Sequence, residues 1–247
     1  MPAWLASYLG VDACAGMSTM DWLLTPQQRL LGVVGGRVHR DDDGILEAVR
    51  RELAWYPDQV WRWLLACQWH RLAQEEAFVA RTAEVGDQTG SAVTAARLVR
   101  DVMRLALLLD RRYAPYQKWL GPAFSRGEHP DGLAQECSEA VQATEQERRE
   151  RSLARAYTIL ARRHNTAGLT VPVEPSVGSY YSRPAQVLMA GRFTDALLAT
   201  VTDPGLRALP LIGAIDQAVD STDILSTPEI YRRFAGMYSD AKAGQCR

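Results

Sequence analysis

Between residues 58 and 112, apolar side chains return every three to four positions along two successive runs, and this rhythm constrains the fold more than any other feature. At about 100° per residue, Leu65, Trp69, Leu72 and Val79 fall on one stripe of the run 58–83. Leu98, Val99, Val102, Met103, Leu105 and Ala106 share one face of the run 91–112. Gly86–Gly90 separates the two. Helices of this length set the fold class as mainly α, a helical bundle with two long central helices.

Punctuation elsewhere agrees. Thr25-Pro26-Gln27-Gln28 offers a capping threonine, a proline at the first helical position and a capping-box glutamine, with Gly35-Gly36 as the stop. Arg37–Arg40 reads as a minor extended segment and Asp41–Gly44 as a turn. Ile45–Ala54 is a short amphipathic helix closed by Tyr56-Pro57. Ala114-Pro115 ends the second long helix. After a loop at 127–132, helices are expected over Leu133–Ala143 and Glu145–Arg163, capped near Asn165–Gly168. Residues 170–184 hold three prolines and read as a long loop. Short helices follow at Ala185–Ala190, Phe193–Thr200, Leu206–Leu209 and Ile212–Val219, and a last one begins at Thr227-Pro228-Glu229. With no repeat and no linker, residues 1–247 form one helical domain: N-terminal helices and a hairpin-like turn over 1–56, and the helical core over 57–247.

Charged residues make up 23% of the chain at a net charge of −1, so no basic excess points to nucleic acid or a membrane surface. Cys14, Cys67, Cys137 and Cys246 are scattered without metal-ligand spacing, which suits a reducing, cytoplasmic location. The start MPAWLASYLG lacks a basic n-region and an apolar h-region. Leu105–Leu109, an apolar run of roughly five residues, falls far short of the ~20 needed for a span. No Ser-His-Asp set, Walker loop, dinucleotide fingerprint or zinc set occurs, so neither cofactor nor metal is expected. Asp216 and Asp220 lie one turn apart and read as capping acids, with a shared divalent cation as the alternative.

The chemistry-bearing candidates sit close to faces that read as buried. Glu76 lies near the centre of the first apolar stripe, flanked by Gln68 and Glu75. A carboxylate there pairs with Arg81 or an arginine of the next helix, or serves as a catalytic group. Arg97, Arg100, Arg104 and Arg111 fall in one band about 60° wide beside the second apolar face. Such a band is either a solvated face neutralised by Asp101 and Asp110, or a fork-shaped site for carboxylate or phosphate. Asp87 or Ser91 caps that helix, unless the turn's N–H groups floor an anion site. Tyr113, Tyr116, Lys118 and Trp119 follow as pocket cover or proton donors. His164 closes a later helix as a partner for its dipole, or faces the site.

The runs LAQEEAFVAR (72–81), EVGDQTGS (84–91), ARLVRDVMRL (96–105), RRYAPYQKWLG (111–121), ARRHNTAGL (161–169) and IDQAVDSTDIL (215–225) resemble an uncharacterised bacterial domain usually found C-terminal to a nucleotidyltransferase-like domain. The resemblance runs from about Tyr8 to Tyr231. By analogy with aminoglycoside-modifying nucleotidyltransferases, it implies a helical bundle that holds an acceptor substrate. The transferase half, with its Gly-Ser turn and paired strand aspartates, is absent, and Asp41–Asp43 in a turn does not replace it. The family pattern has an acid where Gln88 stands, a small residue at Gln117 and an aromatic at Ala218. The expectation is a free-standing derivative that binds a small polar or anionic metabolite, with an excised fragment as the alternative. As a cofactor-independent acid–base enzyme it would use Glu76, Glu75, Tyr113 and Tyr116, with Arg81, Asp87, Arg97, Arg100, Arg104, Lys118, Trp119 and His164 binding substrate. The alternative is a non-catalytic module serving a separate nucleotidyltransferase. A third reading is a scaffold that dimerises through the arginine band and the Tyr180-Tyr181 loop.

Overall fold

Helices start where side chains satisfy their first orphan N–H groups, and this chain recruits some of those side chains from far along the sequence. The computed structural model describes residues 1–239 apart from Glu128 and Ser182, and it is mainly α. Cys246 lies outside the described residues. α1 (Pro2–Leu9) leads through a 3-10 turn to α2 (Thr19–Leu24), α3 (Gln27–Val34) and α4 (Ile45–Glu52). A capping box opens α2: Ser18 Oγ accepts from the Asp21 N–H, and Asp21 Oδ2 accepts from the Ser18 N–H. The box expected at Thr25–Gln28 does not form. Thr25 Oγ1 donates to the Asp21 carbonyl instead, and the Gln27 N–H donates to Asp216 Oδ2 at 2.8 Å. Tertiary partners also take the glutamine side chains: Gln27 and Gln28 Oε1 accept from the Ala114 and Tyr116 N–H groups.

The helix expected over 58–83 is two helices, α5 (Asp58–Glu75) and α6 (Phe78–Glu84), and the break falls at Glu76-Ala77. α7 (Gln88–Leu109) carries the arginine band and is capped by Asp87, whose Oδ1 accepts from the Gly90 N–H at 2.7 Å. α8 (Gln117–Ser125), α9 (Leu133–Gln142) and α10 (Gln146–Thr166) follow.

Residues 37–40 form no strand. The extended structure lies instead at β1 (Gly178–Tyr180) and β2 (Arg183–Val187), an antiparallel pair with Gly178 opposite Val187 and Ser179 opposite Gln186. This hairpin occupies part of the expected loop and the start of the expected helix 185–190. Contacts from elsewhere hold it. The Gln186 N–H donates to Glu150 Oε1 at 2.5 Å, and Arg183 pairs with Glu84 of α6. Beyond it come α11 (Gly191–Leu198), α12 (Pro204–Arg207), α13 (Ile215–Ala218), α14 (Thr222–Ser226), α15 (Pro228–Tyr231) and a closing 3-10 helix.

Contacts divide the chain into two compact units, each assembled from separated stretches. The first comprises Met1–Leu64, Arg111–Lys118 and the residues from Val201 onward. Its core joins Leu5, Leu9, Leu23, Leu30 and Leu53 to an aromatic cluster. Within that cluster Tyr113 lies 4.8 Å from Trp55 and 5.2 Å from Tyr56, centre to centre. The second unit comprises Leu65–Asp110 and Trp119–Thr200. There α10 packs on α9 and α7, burying Leu98, Val102, Leu105, Leu133, Tyr157 and Leu160. Trp69 stacks on Phe193 at 4.5 Å, both rings fully enclosed. Burying an indole of roughly 200 Å² at about 25 cal/mol per Å² stabilises by about 5 kcal/mol. No described helix is long and apolar enough to cross a membrane.

Candidate functional site

Within the second unit, α5 and α7 bring their polar residues together. Gln68, fully buried, donates from Nε2 to the Asp101 carbonyl at 3.2 Å and fixes the register of the two helices. Asp101 is 2% exposed, so its carboxylate must be compensated from inside the protein. Arg71 Nη2 stands 3.4 Å from Asp101 Oδ2, and Arg100 Nε stands 3.9 Å from Oδ1. Beside them Arg97 Nη2 meets Glu75 Oε1 at 2.8 Å. Arg104 is half-buried and shares this face of α7 by its spacing from Arg97 and Arg100.

Glu76 does something else. Only 7% exposed, it accepts from the Leu188 N–H at 2.7 Å through Oε2 and from the Ala190 N–H at 2.9 Å through Oε1. Ala190 is the N-cap of α11, so the carboxylate sits at the positive end of that helix. Met189, between the two donors, has a φ of 55°, which turns both neighbouring N–H groups toward the same acceptor. Burial raises the Glu76 carboxyl above its ordinary range, against the lowering effect of the N–H groups of 188–190 and of nearby Arg192. The ion pair expected with Arg81 or an α7 arginine is not what holds Glu76. Arg81 is exposed, with its guanidinium 5.9 Å from the Phe78 ring centre.

His164 is fully buried in the second unit. Its Nδ1 accepts from Trp69 Nε1 at 3.2 Å, which leaves Nε2 to carry the proton toward Thr170 Oγ1 at 3.0 Å. Burial lowers its pKa from 6.5 to about 4, so the ring is a neutral connector between α5 and the segment after α10. Asp87 is spent on its cap. Trp119 is half-exposed. Tyr113, Tyr116 and Lys118 belong to the first unit. Tyr113 donates from its hydroxyl to the Leu53 carbonyl at 2.9 Å, and burial lifts its pKa far above the ordinary phenol value. Tyr116 is exposed and offers its backbone N–H to Gln28. Asp216 serves as the cap of α3 described above.

The structure therefore brings Glu75, Arg97 and Arg100 together around Asp101 and adds Arg71. A signal for Arg71 existed: it lies three residues after Gln68 and four before Glu75, on the same helical face. A second arginine escaped the sequence reading altogether. Arg149, 3% exposed, donates from Nη1 to Ser91 Oγ and from Nη2 to the Ala143 carbonyl at 2.9 and 2.8 Å.

Residues 22–120 match the model of a domain of unknown function, DUF4037. The matched stretch contains α5, α6 and α7 whole, and so every residue of the Asp101 cluster. No curated protein and no solved structure matches the chain. The geometry suits recognition of an anion. A guanidinium presents five N–H donors in a plane, a fork that matches carboxylate and phosphate oxygens.

Proposed function

We propose that the α5–α7 face binds a small anionic metabolite and that the chain works as a substrate-binding module. The observation that carries this reading is the convergence of Arg71 and Arg100 on one buried carboxylate, Asp101. With Arg97 held by Glu75 next to them, three guanidiniums are positioned before any ligand arrives. Ordering such side chains in advance removes an entropy cost of about 0.5–1.5 kcal/mol each from the binding step. Carboxylate and phosphate are the ligand groups that match planar forks. The acid–base enzyme draws less support, because Glu76 commits both oxygens to backbone donors and Tyr113 commits its hydroxyl to a carbonyl. Glu75 is the acid–base group that remains beside the arginines. A separate nucleotidyltransferase as the user of the bound metabolite belongs to the same proposal and rests on the sequence resemblance alone.

Calorimetric titration with inorganic phosphate, pyrophosphate and citrate tests it, comparing the parent protein with an Arg97→Gln/Arg100→Gln variant and with Arg207→Gln as control. The double variant should lose more than tenfold in affinity and show a shallower salt dependence, while the control stays at the parent value. Failure of all three anions to bind, or equal losses in both variants, overturns the proposal.

A further inference from the structure

Where the C-terminal ends of α7 and α10 meet residues 130 and 131, the second unit opens a cleft of about 640 Å³. Hydrocarbon from Leu109, Ile159 and Pro130 lines it, together with four charged residues, Asp110, Asp131, Arg162 and Arg163. Two of the four are committed to each other. Arg163 grips Asp131 with both ends of its fork, Nε to Oδ2 at 2.6 Å and Nη2 to Oδ1 at 2.8 Å. The guanidinium holds the Asp131 carboxyl below its ordinary range. Nη2 also reaches His129 Nδ1 at 2.9 Å, and His129 Nε2 stands 2.8 Å from the Phe124 carbonyl, which fixes this wall of the cleft.

Asp110 and Arg162 are different. Both are exposed, both line the cleft, and among the described residues neither side chain has a hydrogen-bond or ion-pair partner. Asp110 is moreover the C-cap of α7, where the negative end of the helix disfavours an acid. An acid there adds to the local negative potential and so favours a cation. Arg162, one turn before the end of α10, supplies the opposite sign to the same cleft.

The geometry points to a site for a zwitterion with an apolar body, an α-amino acid carrying a hydrocarbon side chain. Its ammonium group goes to Asp110 and the carbonyl end of α7, its carboxylate to Arg162, and its side chain to Leu109, Ile159 and Pro130. The volume falls within the range of about 300–1,000 Å³ typical of small-molecule sites. None of these residues belongs to the arginine face, so this site stands or falls independently of the proposed function.

Leucine, N-acetylleucine and leucinamide, titrated into the full chain and followed by NMR shifts of residues 109–110 and 159–163, provide the test. Leucine should bind at least tenfold more tightly than either analogue. Asp110→Asn should abolish the advantage over N-acetylleucine alone, and Arg162→Gln the advantage over leucinamide alone. Equal affinity for the three ligands, no shift with leucine, or an unchanged ranking in both variants overturns the inference.

Discussion

Acid should destabilise this protein through His164 before most carboxylates are involved. The folded chain holds the ring neutral, with a pKa of about 4 against 6.5 in the unfolded chain. A group whose pKa is depressed by folding contributes stability that is full above 6.5 and lost as pH falls through about 4. The full contribution is roughly 3 kcal/mol, and about 2 kcal/mol of it is gone by pH 5. Glu76 runs the other way: its raised pKa makes the ionised form the costly one, so its contribution grows as pH falls. A comparison at matched pH removes that term. His164→Gln keeps an acceptor for Trp69 and a donor for Thr170 but cannot titrate. In urea unfolding followed by tryptophan fluorescence, the stability of the parent relative to His164→Gln should drop by about 2 kcal/mol between pH 7 and pH 5. Nitrogen NMR of the imidazole should show the neutral ring with the proton on Nε2 at pH 6. An unchanged gap between the two proteins, or an imidazolium in the folded state at pH 6, refutes the reasoning.

Asp101→Asn should cost roughly 3 kcal/mol in the same unfolding assay, because it removes the charge that two half-buried guanidiniums share. A loss under about 1 kcal/mol would mean that Arg71 and Arg100 are compensated from elsewhere. Cys137 is buried, and its thiol is pushed up to about 12. With Cys246→Ser in place, Ellman's reagent at pH 8 should therefore label exposed Cys14 quickly and Cys67 and Cys137 only on unfolding. Fast labelling of two or more thiols contradicts the burial.

The long helices were legible because their apolar periodicity is local information, and every residue of the stripe Leu65, Trp69, Leu72 and Val79 is buried. What could not be read was the identity of distant partners. Nothing near Gln27 in sequence reveals that Asp216 caps its helix from 189 positions away. The hairpin at 178–187 was hidden for the same reason, since its second strand is steadied by Glu150 and Glu84 from other elements. At the candidate site, the grouping of Arg97, Arg100 and Asp101 followed from helical spacing alone. The fate of Glu76 did not, because its donors are backbone N–H groups, which leave no trace in residue identity.

Glu76 and Asp101 show how two buried carboxylates in one unit come to different ends. Glu76 sits in the break just after α5 and Asp101 on α7; both are buried, and both would be costly unpaired. Glu76 meets fixed N–H donors and one helix end, so it holds the turn between β2 and α11 against the residue that follows α5. Asp101 meets guanidiniums, planar forks whose shape also matches a carboxylate or phosphate from outside. The difference lies in the donors rather than the acids, and it is why the proposed anion site lies beside Asp101 and not beside Glu76.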